Sequence, residues 1–389
     1  DRKFGYIMKR NTRNEIIESA ISLMAENPLD RPSLADIVAE VGISKAAVYR
    51  HFKSKQDLDD EIERILKSEV QHIIDVAEAN PDDLAPIMKA MTQLIGSNTN
   101  HMRVLSMSIL RNAYYRSRLN QLFSGKGYKE DTTSTIFFAT LFGTHVDNLV
   151  NQKKEIRESD IDKMVTHVLT CLDNGVLDMP TVSNARLRHI YRECIPARED
   201  IKDDKYLIAL SNILVKYGTS SINIKNIASE LGQAESTLYS KFTTKEEMLA
   251  YTAKKEMKNL IIPLNATLER YEKDEEKIFA MYAYIVNYIS LSPELSGVLL
   301  LLSLDQSLGN RHRVRHEAIF SEFIENIPIK GIYLKHDSDI AHLKFWCFGC
   351  AVVLSFMMKN FALKDREDNV IALNSYLRNG IHIDDKENI

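Results

Sequence analysis

The stretch GISKAAVYRHFKSKQDL at residues 42–58 returns as GQAESTLYSKFTTKEEM at residues 232–248, in register and without a gap, 190 residues further along the chain. Gly42/Gly232, Tyr49/Tyr239, Phe52/Phe242 and Lys55/Lys245 coincide, and Val48/Leu238 and Leu58/Met248 exchange one apolar side chain for another. The same offset pairs Leu23 with Ile213, Ile37 with Ile227, Glu40 with Glu230 and Val41 with Leu231. Apolar positions, a turn glycine and charges that recur together require one local fold to be built twice.

Helix starts recur at the same offset. Ser33-x-x-Asp36 answers Asn223-x-x-Asn226, and Ser54-x-x-Asp57 answers Thr244-x-x-Glu247. A capping oxygen takes the backbone N–H three residues on, and an acid at that third place returns the bond. Thr12-x-x-Glu15 marks a further start, and Asp203 or Asp204 its counterpart. Each copy therefore predicts three short helices and the beginning of a longer fourth. Elsewhere apolar residues recur at three- and four-residue spacing and period-two alternation is nearly absent, so the fold class is all-α. A fainter echo pairs TLFGTHV (140–146) with WCFGCAV (346–352), and Gly143 and Gly349 predict a close helix crossing there. The expected plan is 1–57 and 203–247 for two small helical domains, 58–178 and 248–389 for two larger ones, and 179–202 for a linker.

The chain of 389 residues is 44% hydrophobic and 27% charged, with a formal charge of −4 and four cysteines. That balance fits ordinary globular domains in a reducing cytoplasm. The net charge argues against indiscriminate polyanion binding, but local basic faces decide specific binding. No apolar run reaches the roughly 18 residues of a membrane span, and DRKFGYIMKR lacks the apolar stretch of a secretory signal. There is no Gly-rich phosphate loop, nucleophile elbow or paired metal motif, so neither catalytic residues, a metal nor a cofactor is expected. Cys347-x-x-Cys350 sits in an apolar run and reads as buried small residues. His312 and His316, interleaved with Arg311, Arg313 and Arg315, read as an exposed cationic face.

Two helices joined by a tight turn place the second where it can enter the DNA major groove. In copy one Ile37, Val38 and Val41 form the inner face of the first helix. Gly42 permits the turn's positive φ, Ile43 plugs beneath it, Ser44 caps the second helix, and Val48 and Phe52 hold that helix down. Lys45, Ala46, Ala47, Tyr49, Arg50 and His51 then face outward, and with the Ser44 cap they form the candidate DNA contact, with Lys55 beside the backbone. The small residues Ala46 and Ala47 let the helix approach base edges. A basic arm including Arg10 and Arg13 suits the adjacent minor groove. In copy two, Ala234 stands where Ser44 caps, and Glu235 replaces Lys45. Its remaining contacts are Glu235, Ser236, Thr237, Tyr239, Ser240, Lys241 and Lys245, with Glu235 able to accept from a cytosine amino group.

The signature DIVAEVGISKAAVYRHFKSKQDL and its partner NIASELGQAESTLYSKFTTKEEM resemble the tetracycline-repressor (TetR) family of bacterial transcriptional regulators over about 47 residues in each copy. The resemblance implies a three-helix DNA-binding domain, followed by a helical domain that dimerises and binds a small-molecule effector. It implies a regulator, read as a repressor, whose partners are double-stranded operator DNA and an effector. Two readers in one polypeptide imply an intramolecular pseudo-dimer, with STIFFATLFGTHVDNLV and IDKMVTHVLTCL meeting AHLKFWCFGCAVVLSFMMKNF and NVIALNSYL in a four-helix interface. The alternative is one working reader and a second kept as an interaction adaptor. Candidate effector contacts are His101, Arg111, Tyr114 and Tyr115 in the first rear domain, and Tyr282, Tyr288 and Trp346 in the second.

Overall fold

The computed structural model describes residues 12–26, 32–97, 100–101, 104–105, 117, 126–152, 156–201, 204–217, 221–292, 325, 327–333, 337–358 and 362–383. Among them the fold is all-α, with helices and 3₁₀ turns and no strand. The first half holds α1 (Thr12–Glu26), α2 (Leu34–Val41), α3 (Lys45–Tyr49), α4 (Lys55–Ala79), α5 (Ala85–Ser97), α6 (Thr132–Gln152) and α7 (Glu158–Asn174). The second holds α8 (Asn184–Glu193), α9 (Lys205–Tyr217), α10 (Ile224–Glu230), α11 (Glu235–Tyr239), α12 (Lys245–Leu268), α13 (Asp274–Leu291), α14 (Asp337–Met357) and α15 (Leu363–Asn379).

Local chemistry sets the starts of these helices. Ser33 and Asp36 close a reciprocal capping box before α2, with Asp36 Oδ2 taking the Ser33 N–H at 2.8 Å. Ser44, Ser54, Asn223 and Thr244 each accept a backbone N–H from three residues on. Asp204 accepts from Tyr206 N at 2.7 Å before α9. Ala234 makes no side-chain cap before α11. The helices α3 and α11, and the starts of α4 and α12, lie 190 residues apart, the offset of the sequence repeat.

The core falls into two clusters. One contains Ile16, Ile21, Ile37, Val48, Phe52, Leu58 and Ile62 of α1–α4, joined by Val104. The other is continuous through both rear domains and takes in Ile213, Ile227, Leu238, Phe242 and Met248 of α9–α12. The first small domain thus has a core of its own, and the second shares its core with the rest of the chain.

The rear helices of the two halves pack on each other. Trp346 Nε1 of α14 donates to Thr140 Oγ1 of α6 at 3.0 Å, and the Phe137 ring stands edge-on to Trp346 at 5.0 Å and to Tyr376 at 6.4 Å. Thr133 donates to Asn369 at 2.6 Å. The chain leaving each final helix then pairs with the other half. Lys129 N donates to Ile381 O at 2.9 Å and Ile383 N to Gly127 O at 2.7 Å. The matching pair is Lys330 N to Val176 O at 2.9 Å and Asp178 N to Pro328 O at 2.9 Å. Exchanging the halves maps one set of bonds onto the other.

Two expectations change. A Cβ on Gly143 or Gly349 would meet nothing within 4 Å, so neither glycine makes a close crossing. The tight approach lies instead at Gly175 and Gly380, where each helix terminates. The 179–202 segment is not an open linker: α8 buries Leu187, Ile190 and Tyr191. Arg186 pairs with Glu276 at 2.6 Å and Arg188 with Glu367 at 3.1 Å, so these cations are engaged within the protein.

Candidate nucleic-acid interface

The turn before α3 is closed by Gly42 at φ 70°, whose N–H reaches Val38 O at 3.0 Å, and its counterpart Gly232 has φ 62°. Left-handed backbone of this kind admits glycine without strain. Ile43 packs against the first core, and Val48 and Phe52 are buried beneath α3. Lys45, Ala46, Tyr49, Arg50 and His51 are exposed, with Tyr49 at 50%. Ser44 spends its oxygen on the Ala47 N–H at 3.2 Å and positions the helix.

The same exposure recurs around α11. Leu238 and Phe242 are buried, while Glu235, Ser236, Thr237, Tyr239, Ser240 and Lys241 are exposed, with Tyr239 at 55%. The chemistry of the face differs. Ser240 Oγ donates to Thr237 O at 2.8 Å. Lys241 Nζ lies over the rings of Tyr206 at 4.6 Å, Tyr251 at 4.7 Å and Phe242 at 5.2 Å, and donates to the Tyr206 hydroxyl at 3.2 Å. Such a cage holds an ammonium through the rings' negative faces, so Lys241 is a structural cation before it is a phosphate contact. Lys245 opens α12.

The corresponding place in the first reader is built from ions. Arg13 lies inside α1, not in a free arm. Its guanidinium covers Phe52 at 4.9 Å and pairs with Glu61 at 3.0 Å. Arg64 and then Arg13 donate to Glu61 and hold its carboxyl down at about 2. Lys55 Nζ pairs with Asp59 one turn on. Arg10 lies outside the described residues.

His101, expected in an effector pocket, is buried between carboxylates. Its ring nitrogens stand 2.6 Å from Glu69 of α4 and 3.3 Å from Glu18 of α1. Asn100 donates to Ser22 of α1 at 3.2 Å, and Val104 joins the first reader's core. Burial pulls the imidazole pKa down, but the Glu69 hydrogen bond and the two carboxylate charges outweigh it, and the net shift is upward. His101 therefore ties the rear domain to the reader.

Tyr282, Tyr288 and Trp346 are core residues, each at most 2% exposed. The hydroxyl of Tyr282 has no hydrogen-bond partner among the described residues. Arg111, Tyr114, Tyr115, His312 and His316 lie outside the described residues. Cys347 and Cys350 are buried free thiols, and burial pushes Cys350 up to about 12. Among the described residues no group of three or more His, Cys, Asp or Glu could hold a metal, and no helix is long and apolar enough to cross a membrane. Sequence reasoning missed the caged Lys241, the His101 clamp and the Gly175–Gly380 crossing. The last had a signal: Asn174-Gly175-Val176 answers Asn379-Gly380-Ile381 at the two helix ends.

The helices α2 and α3, joined by the Gly42 turn with α3 exposed, have the helix-turn-helix arrangement. Residues 16–62 match the family of bacterial regulatory proteins of the tetR family. The chain is similar to the nucleoid occlusion factor SlmA of Shewanella pealeana, with 33% identity over 122 residues, 30% of this chain and 62% of that protein. The SlmA of Vibrio cholerae serotype O1 is 32% identical over the same shares. The chain thus spans about 62% of the length of these curated relatives.

Proposed function

We propose that this chain is a DNA-binding transcriptional regulator that sets two unlike helix-turn-helix readers on one operator. The observation that carries this reading is the recurrence at 190 residues of helix bounds, turn glycine and exposed face around α3 and α11. Two such readers fit half-sites about 34–36 Å apart on one side of the duplex. The packing of α6 and α7 with α14 and α15 supports an internal pseudo-dimer, so one chain does the work of two.

Lys45 and Arg50 supply the first reader's positive charge, and the tetR-family match over 16–62 supports DNA as its partner. Repression in the cytoplasm with release by a small molecule is the finer reading. It is supported by the family resemblance and by the path from rear domain to reader through His101. Effector binding favours one state only as far as its affinities for the two states differ. Such a chain regulates and does not catalyse.

The caged Lys241 and the acidic Glu235 favour a second reading, in which the α11 face is an adaptor for another macromolecule. Nucleoid occlusion, the role in the relatives' name, would use the same DNA-reading face. A deletion strain that divides across its nucleoids would favour that role. The regulator reading is tested by selecting sites from a randomised duplex pool. Binding must weaken with Lys45→Ala and Arg50→Ala, and the salt slope must flatten by about one unit for each phosphate that the variant no longer neutralises. Unchanged affinity and slope would contradict it.

A further inference from the structure

Lys45 and Glu235 occupy the same place in the two readers. Each opens its recognition helix, 190 residues apart. The residue before each is extended, with φ/ψ of −83/154 at Ser44 and −70/144 at Ala234. The residue after each helix is again alike, −72/−24 at Arg50 and −68/−21 at Ser240. Both side chains therefore leave matching backbone in matching directions. Both are exposed, and neither has a hydrogen bond or ion pair among the described residues. One position thus presents an ammonium in the first reader and a carboxylate in the second.

We infer that this charge inversion at Lys45 and Glu235 gives the chain a direction on DNA, reading guanine in one half-site and cytosine at the homologous position of the other. The inference rests on the two-reader function proposed above. In the major groove an ammonium donates to guanine O6 and N7, whereas a carboxylate only accepts and takes the cytosine N4 amino group. A carboxylate facing guanine meets two acceptors, so the wrong base pair is repelled as well as left unbonded. The remaining faces agree with this division. Arg50 and His51 are exposed and unpaired among the described residues, whereas Ser240 closes on its own helix and Lys241 is caged. The first reader then adds attraction to the backbone through Arg50 and His51, while Lys45 and Glu235 each select a base.

The test is site selection by the full chain from a randomised double-stranded DNA pool, for the wild type, Glu235→Lys and Lys45→Glu. The wild type should return a bipartite site that is not a palindrome, guanine in one half standing where cytosine stands in the other. Glu235→Lys should convert the second half to guanine, with about a ten- to hundredfold change in preference at that base. Lys45→Glu should move the first half the other way. Two half-sites whose second base is unmoved by Glu235→Lys would overturn this inference and leave the two-reader function standing. A single half-site, or no enrichment, would overturn that function and the inference with it. Both positions are exposed, and unchanged far-UV circular dichroism will show that the variants fold.

Discussion

Gly175 and Gly380 end α7 and α15 against each other's backbone. A Cβ on Gly175 would stand 2.4 Å from the Arg378 carbonyl carbon, and one on Gly380 would stand 2.2 Å from the Leu172 oxygen. The crossing is sealed by Val176 N to Leu377 O at 2.7 Å and Ile381 N to Leu172 O at 2.7 Å. Their angles, φ 63° with ψ −175° and φ 82° with ψ −172°, belong to a region that only glycine occupies readily. The two halves of the chain are locked together at this point.

Gly175→Ala and Gly380→Ala should each destabilise the protein by about 3 kcal/mol, from backbone strain and overpacking together. Gly143→Ala and Gly349→Ala should instead be neutral or stabilising by up to about 1 kcal/mol, since both are helical with open space at the Cβ. Urea unfolding of the four variants checks the contrast. Equal effects at all four positions would contradict the crossing.

The caps make a second pair. Ser44 holds the Ala47 N–H, and Ala234 leaves the equivalent donor without a side-chain acceptor. Ser44→Ala should cost about 1 kcal/mol, and Ala234→Ser should return a similar amount to the segment around α11. Differential scanning calorimetry reads both shifts.

His101 predicts a pH dependence. Its folded-state pKa lies above the ordinary value of 6.5, so the charged clamp contributes fully below about pH 6.5. The contribution is lost as pH rises through the raised folded-state pKa. His101→Gln should cost about 2 kcal/mol at pH 5.5 and progressively less at alkaline pH, because a charge-assisted bond to Glu69 is replaced by a neutral one. Hydrogen exchange of α1 amides will read the loosening. A cost that does not vary with pH would contradict a charged clamp.

The helix-turn-helix around α3 and its repeat around α11 are the most legible part of the sequence, because their features are local. Ser33, Gly42 and Ser44 act on neighbours a few residues away, and a repeat at fixed offset doubles the signal. The meeting of the rear helices is legible as apolar segments, but the residues that make it close are not. Gly143 and Gly349 stand out in the sequence because each follows a Phe, whereas close approach depends on which backbone passes by. Arg13 and Lys241 read as free donors in the sequence for the same reason. Their partners Glu61, Tyr206 and Tyr251 come from other helices, and nothing in the local spacing announces them. His101 likewise takes its meaning from Glu18 and Glu69, tens of residues distant.

The central proposition is that one chain carries both readers on a single site. Sedimentation of the complex with a selected duplex, together with its footprint, tests it directly. The expected result is one chain per duplex, protecting two half-sites about 34–36 Å apart. An obligate two-chain particle on DNA, or protection of only one half-site by a single chain, would contradict it.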